Sequence, residues 1–389
     1  MDPVRNPFSP GAGSQPPELA GREEIISNAE IALQRILLGR PAQSQMLLGL
    51  RGVGKTVLLN KIEQIAEGYG YLTSFIEAPE DRKLVDLLYP KVHQILRKLS
   101  LVETAKTATH AAMRALRSFA GAFKVNVGDF EVSVDPEPGV ADSGNLEYDI
   151  TELFLKVGEA AKAANKGWAL LIDEVQYLSV EELAALIVAI HRINQRALPI
   201  LLFGAGLPAI AALSGNAKSY AERLFIFPEV DALSKLDAAA AIRQPIEEEG
   251  EIIDDDLLKK IVELTKGYPY FLQEWGYQIW NASPQSPIAV NCIESAEREA
   301  LRRLDEGFFK VRIERLTPKE KEYVIAMAHL GSGPYRSSDV AEVLEEKLTT
   351  LGPRRAQIIA KGMIYSPAHG DIAFTVPMFD EYLKRHWLT

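Results

Sequence analysis

The sequence holds one cysteine, Cys292, in 389 residues. No disulfide framework or thiolate metal site can be built from it. Its six histidines show no H-x-x-x-H pairing, so nothing points to a histidine-held zinc. A G-x-S-x-G elbow is missing too, and a lone cysteine without a partner motif is poor material for nucleophilic catalysis. The longest apolar runs, such as LAALIVAI at Leu183–Ile190, fall far short of the ~20 residues that span a bilayer. No membrane partner is expected. The opening MDPVRNPFSPGAGSQPPE lacks an apolar signal core and is rich in Pro, Gly and Ser. It reads as a flexible leader, 1–17, on a cytoplasmic protein. There is no internal repeat.

What is present is ordinary in bulk and uneven in detail. Hydrophobic residues make up 47% and charged residues 25%, enough for two or three domains with real cores. The net charge of −10 argues against a generally basic nucleic-acid coat. From Arg82 to Lys124, however, nine basic residues face two acids, a local +7.

The sharpest signal is GLRGVGKT. Gly49, Gly54, Lys55 and Thr56 satisfy G-x-x-x-x-G-K-[ST]. SQMLLGL before it reads as a buried strand, and KTVLLNKIEQIAEGYG after it has helical spacing. Glycines let backbone N–H groups close around phosphate, and a helix N-terminus favours the anion. The candidate nucleotide ligands are therefore Gly49, Arg51, Gly52, Val53, Gly54, Lys55, Thr56 and Val57. Lys55 would reach the terminal phosphates and Thr56 would hold Mg²⁺. A second element, WALLIDEVQYL (Trp168–Leu178), is a continuous apolar run ending in two acids, as in a strand buried on both faces. Asp173 fits a Mg²⁺ ligand and Glu174 the base that polarises the attacking water. Ser179 and Glu182 also form a capping box for the next helix.

These two motifs together resemble P-loop NTPases of the AAA+ class. Other segments narrow the resemblance to AAA+/STAND ATPases related to the origin-recognition-like initiators. The resemblance implies an α/β P-loop NTPase with a parallel sheet and helices on both faces, an α-helical lid, and a C-terminal winged helix. It implies ATP and Mg²⁺ as ligands, bound between core and lid. ELAGREEI (Glu18–Ile25) is similar to the box that packs on adenine, making Ala20, Gly21 and Arg22 candidates. SYAERLFIF carries Arg223 where the family places an arginine finger, and so implies a homo-oligomer. LTKGYPYFLQEWGYQIW is similar to the G-x-P lid motif of STAND proteins, in which Pro269 would touch adenine. Two departures stand out. The strand LPILLFGAGLP ends in Gly204-Ala205-Gly206, with no polar sensor residue, which implies slow hydrolysis. No arginine lies in the lid helix, Gly267–Trp280.

The expected domains are the ATPase core at 18–232, a lid and linker helix at 233–310, and a winged helix at 311–389. The core is expected to carry an insert at 80–145, made of basic helices and a hairpin at FKVNVGDFEVSV (Phe123–Val134). In the last domain Thr317, Pro318 and Glu320 start a first helix, and a third begins near Pro353. In helix-turn-helix geometry that third helix would offer Arg354, Arg355 and Gln357 to base edges and Lys361 to a phosphate. The basic insert would suit phosphate contacts as well. The sequence thus reads as a nucleotide-controlled switch with duplex DNA as its partner. The alternative is an ATP-driven oligomeric signalling scaffold that recruits a protein partner. A metabolic kinase has no use for a lid followed by a winged helix.

Overall fold

The computed structural model describes residues 1–11, 19–125 and 135–388. Two compact units emerge. The first comprises Arg22–Gly49 and Lys55–Val230, the second Met1–Gly21, Leu50–Gly54 and Asp231–Thr389.

The first unit is built on five parallel strands. These are β1 (Ser44–Leu48), β2 (Leu72–Glu77), β3 (Trp168–Asp173), β4 (Ile200–Gly206) and β5 (Phe225–Ile226), in the order β2-β3-β4-β1-β5. Every residue of β1, β3 and β4 is buried, which explains why those strands read as unbroken apolar runs. Helices α1 (Glu23–Leu37), α2 (Lys55–Gly68), α3 (Leu84–Leu99), α4 (Lys106–Phe123), α5 (Leu146–Ala163), α6 (Val180–Gln195), α7 (Ile210–Ala217) and α8 (Ala221–Leu224) accompany the sheet. The register sets Leu48 beside Gly206 and Ile172 beside Gly204. The carboxyl ends of β1, β3 and β4 therefore share one edge, where open α/β sheets bind ligands.

The described part of the long excursion from β2 to β3 is mostly helical. α4 packs on α3 and α5, and their apolar faces join the core under the sheet. The expected hairpin lies outside the described residues from 126 onward. Part of the basic charge is met locally: Lys106 pairs with Glu103 at 2.6 Å and Arg114 with Glu137 at 3.9 Å. α6 starts on the expected box, with Glu182 N donating to Ser179 Oγ at 3.2 Å and Ser179 N to Glu182 Oε2 at 2.9 Å.

The second unit holds α9 (Lys235–Glu248), α10 (Asp255–Thr265), α11 (Pro269–Ala282), α12 (Ile293–Arg303) and α13 (Lys310–Glu314). A π-helical stretch, Leu304–Phe309, carries α12 into α13. Next come α14 (Pro318–His329), β6 (Tyr335–Arg336), α15 (Ser337–Val343), α16 (Leu348–Ala360), β7 (Ile364–Tyr365), β8 (Asp371–Phe374) and α17 (Phe379–Trp387). The three short strands form an antiparallel sheet, β6-β8-β7.

Two expectations need correction here. The leader is not loose over its first eleven residues. Phe8 is 3% exposed and lies where a Cβ on Gly276 of α11 would collide with its ring. Asn6 Nδ2 donates to Tyr277 O at 3.0 Å, and Trp280 Nε1 donates to Asp2 O at 2.8 Å. Apolar burial of one aromatic outweighs the polar composition around it. The third helix of the C-terminal region also begins earlier than Pro353. It starts at Leu348, and Pro353 sits at its sixth position, beyond the four N–H groups that lack an intrahelical acceptor, so the helix forgoes the bond to Thr349 O.

Candidate nucleotide site

In the first unit, Lys55 and Thr56 open α2 directly after the glycine loop. Thr56 Oγ1 donates to Asp173 Oδ2 at 2.5 Å, so the end of β3 and the start of α2 meet. Asp173 is 3% exposed; burial pushes its carboxyl above the usual range, while the Thr56 hydrogen bond pulls the other way. Lys55 is also buried, and its Nζ donates to Gly49 O at 3.0 Å. The ammonium is thus held inside its own loop. A hydroxyl and a carboxylate at hydrogen-bond distance are hard oxygen donors of the kind Mg²⁺ takes alongside phosphate oxygens. No group of three or more His, Cys, Asp or Glu suited to a metal occurs among the described residues. Glu174 follows in the left-handed region at φ 54°, and its N–H donates to Asp173 Oδ1 at 2.8 Å.

The loop tip, Leu50–Gly54, belongs to the second unit. There it meets the start of α11. Tyr270 N donates to Gly52 O at 3.2 Å, and the Tyr268 hydroxyl donates to Arg51 O. Pro269 stands at the first position of α11, flanked by these two tyrosines. Burial raises the Tyr268 phenol above its ordinary range. Arg51 N donates to Thr375 O at 3.2 Å, so a loop amide is held by the segment just after β8. Ala20 is buried, and a Cβ on Gly21 would lie 2.8 Å from Asp237 of α9. Arg22, in the first unit, is the buried residue that precedes α1.

Tyr268, Tyr270 and Thr375 escaped the sequence reading. The aromatic pair was visible on either side of Pro269, but nothing in the chain marks a backbone carbonyl as a partner. Arg312 escaped as well. The lid helix has no arginine, yet α13 brings Arg312 near Arg51. Its Nη1 donates to Phe308 O at 2.6 Å, and its guanidinium lies 3.8 Å from the Phe308 ring centroid. Burial, and then repulsion from Arg51, pushes it down to about 10.

The positions expected to face DNA are occupied internally. Arg354 forms a two-pronged pair with Glu346 at 3.0 and 3.1 Å. Arg355 Nη2 donates to Ser366 Oγ at 2.9 Å and Asp371 O at 3.3 Å. Lys361 Nζ reaches Glu320 Oε2 at 2.6 Å and Arg315 O at 3.1 Å. Of the four, Gln357 is the exposed one. α16 carries no acid of its own, but Glu346 precedes it and Glu320 comes from α14. Arg223 is exposed on α8, and its carbonyl accepts from Gln43 Nε2 at 2.9 Å.

A parallel sheet with a glycine loop after one central strand and a carboxylate ending another is a P-loop NTPase fold. Residues 18–203 match the AAA ATPase domain family, and residues 306–383 match a domain of unknown function, DUF8462. No curated protein matches the chain in sequence. Among solved structures, a Walker-type ATPase of Pyrococcus abyssi aligns at 16% identity over 94% of this chain and 96% of its own, with a TM-score of 0.57. The Aeropyrum pernix Orc1 protein, solved with DNA, aligns at 15% over 98% and 96%, TM-score 0.48. The Thermotoga maritima RuvB Holliday junction branch migration motor aligns at 16% over 96% and 99%, TM-score 0.47. At 16% identity the likeness to the Pyrococcus protein concerns the fold alone. No helix among the described residues is long and apolar enough to cross a membrane.

Proposed function

We propose that this chain is an ATP-binding, Mg²⁺-dependent switch of the AAA+/STAND type, with slow hydrolysis, acting on duplex DNA through its C-terminal region. The observation that carries the nucleotide reading is the half-buried Thr56–Asp173 contact beside Lys55 and the glycine loop. Lys55 and the loop amides would take phosphate, and Glu174 would accept a proton from water. Bound Mg²⁺ would supply charge neutralisation on the phosphates. The Arg51 amide gives the switch its logic. A triphosphate that claims this N–H competes with the Thr375 carbonyl, so binding favours one arrangement of that segment over another. The stretch from α14 to β8, three helices with a small antiparallel sheet, supports a winged-helix reading. That arrangement supports the DNA reading.

A second reading, recruitment of a protein partner by an ATP-driven oligomer, is favoured by one specific observation: Arg354 and Lys361 pair with carboxylates of their own domain, and Arg355 donates to Ser366 and the Asp371 carbonyl there. Titration of the chain with a duplex at ~50 mM salt, repeated at higher salt, separates the two, because phosphate contacts weaken steeply with salt. Absence of duplex binding together with ATP-driven assembly leaves the scaffold. For the site itself, K55A should lose nucleotide binding by calorimetry. E174Q should bind ATP like the parent and lose phosphate release by about a hundredfold or more. An E174Q chain that turns over ATP normally removes Glu174 from its assigned role.

A further inference from the structure

Past Glu174 the chain makes a 3-10 turn, Val175–Tyr177, which brings Gln176 back to the tip of β4. There the Gln176 carboxamide is bound at both ends. Its Oε1 accepts from Leu207 N at 3.1 Å, and its Nε2 donates to Glu174 Oε2. The N–H of Leu207 needs an acceptor, which fixes which end is oxygen and turns the NH₂ toward the carboxylate. Gly206 makes the room: a Cβ there would stand 2.4 Å from Gln176 Oε1. A strand tip without a polar side chain of its own is thus served by an amide from the neighbouring turn.

We propose that Gln176 is the positioning residue of the hydrolytic step, holding one oxygen of the Glu174 carboxylate and tying it to the backbone that follows β4. The proposal rests on the reading of Glu174 as the base. An ionised carboxylate accepts at both oxygens; with Gln176 bound at Oε2 the group is held in one orientation, and Oε1 stays open to the water. The amide also makes a two-bond connection from Glu174 to Leu207, so a shift in the backbone leaving β4 moves the base. A static carboxylate on a short turn would otherwise sample several rotamers, and misplacement by about 1 Å can cost a hundredfold.

The test uses the full chain and two variants. Q176M keeps the length and loses both hydrogen bonds. Q176E keeps the acceptor for Leu207 and loses the donor to Glu174. Both should lower kcat for ATP hydrolysis about tenfold to a hundredfold, with KM and affinity for a non-hydrolysable ATP analogue within about twofold of the parent. E174Q/Q176M should be no slower than E174Q, since the amide acts through the carboxylate. Without nucleotide, amide hydrogen exchange at Leu207 should quicken in Q176M and not in Q176E. A parental kcat in Q176M, loss of analogue binding in step with kcat, or unchanged Leu207 exchange in Q176M each overturns the assignment. E174Q separates the two levels. If E174Q is silent and Q176M parental, the role of Gln176 alone falls. If E174Q turns over like the parent, the reading of the base fails and this one with it.

Discussion

Gly52 and Gly54 hold φ of +87° and +96°, a region that costs side chains strain, and they differ in what surrounds them. A Cβ on Gly54 meets nothing within 4 Å, whereas one on Gly52 would stand 3.1 Å from Tyr268 Cε1. G54A should therefore cost only backbone strain, about 1–3 kcal/mol in chemical denaturation. G52A should cost more, because Tyr268 must also give way. Equal losses would mean that Tyr268 does not press on the loop. The glycine loop with Lys55 and Thr56 was legible in the chain as a fixed spacing, and Asp173 as the acidic end of an apolar run. Gln176 was in plain view within WALLIDEVQYL but carried no signal, since its role depends on the empty side of Gly206 on another strand.

Single helices were readable where their ends carry local chemistry. The starts of α6 and α14 follow from Ser179–Glu182 and Thr317–Glu320, because a cap closes within four residues of chain. Glu182 does more than the motif says: its Oε1 also accepts Leu84 N at 2.7 Å, joining the start of α3 to that of α6. E182A should lose about 1–2 kcal/mol of stability by urea unfolding, and S179A less. If the two losses match, the Leu84 contact contributes nothing. The start of α16 was misplaced at Pro353 because proline is favoured early in a helix but does not forbid a turn ahead of it. The DNA-facing reading of α16 failed to anticipate Glu346 and Glu320, which lie off the helix.

At the scale of the whole chain, the docked leader and the exposed arginine make separable claims. F8A should destabilise the second unit by about 3 kcal/mol, judged by the shift in its melting transition. An unchanged transition would mean that residues 1–11 add nothing to that unit. Arg223, if it completes a neighbour's site, gives a sharper result. R223A should bind ATP normally yet lose turnover by about a thousandfold. Mixing R223A with E174Q should restore part of the activity, because one chain then supplies the arginine and the other the base. No recovery on mixing would place Arg223 outside the reaction.

What could be read from the chain alone was whatever is encoded in contiguous residues: the phosphate loop, the acidic end of a buried strand, helix caps, and apolar runs long enough for strands covered on both faces. These rest on backbone geometry within a few residues, so composition and spacing suffice. The partners that decide how those parts are used come from far along the chain. Thr375 holds the Arg51 amide across more than three hundred residues, and Leu207 orients Gln176 across about thirty. Burial made the difference in both cases. Once water is excluded, an N–H must find whichever carbonyl or amide the packing brings to it, and packing is a property of the folded chain.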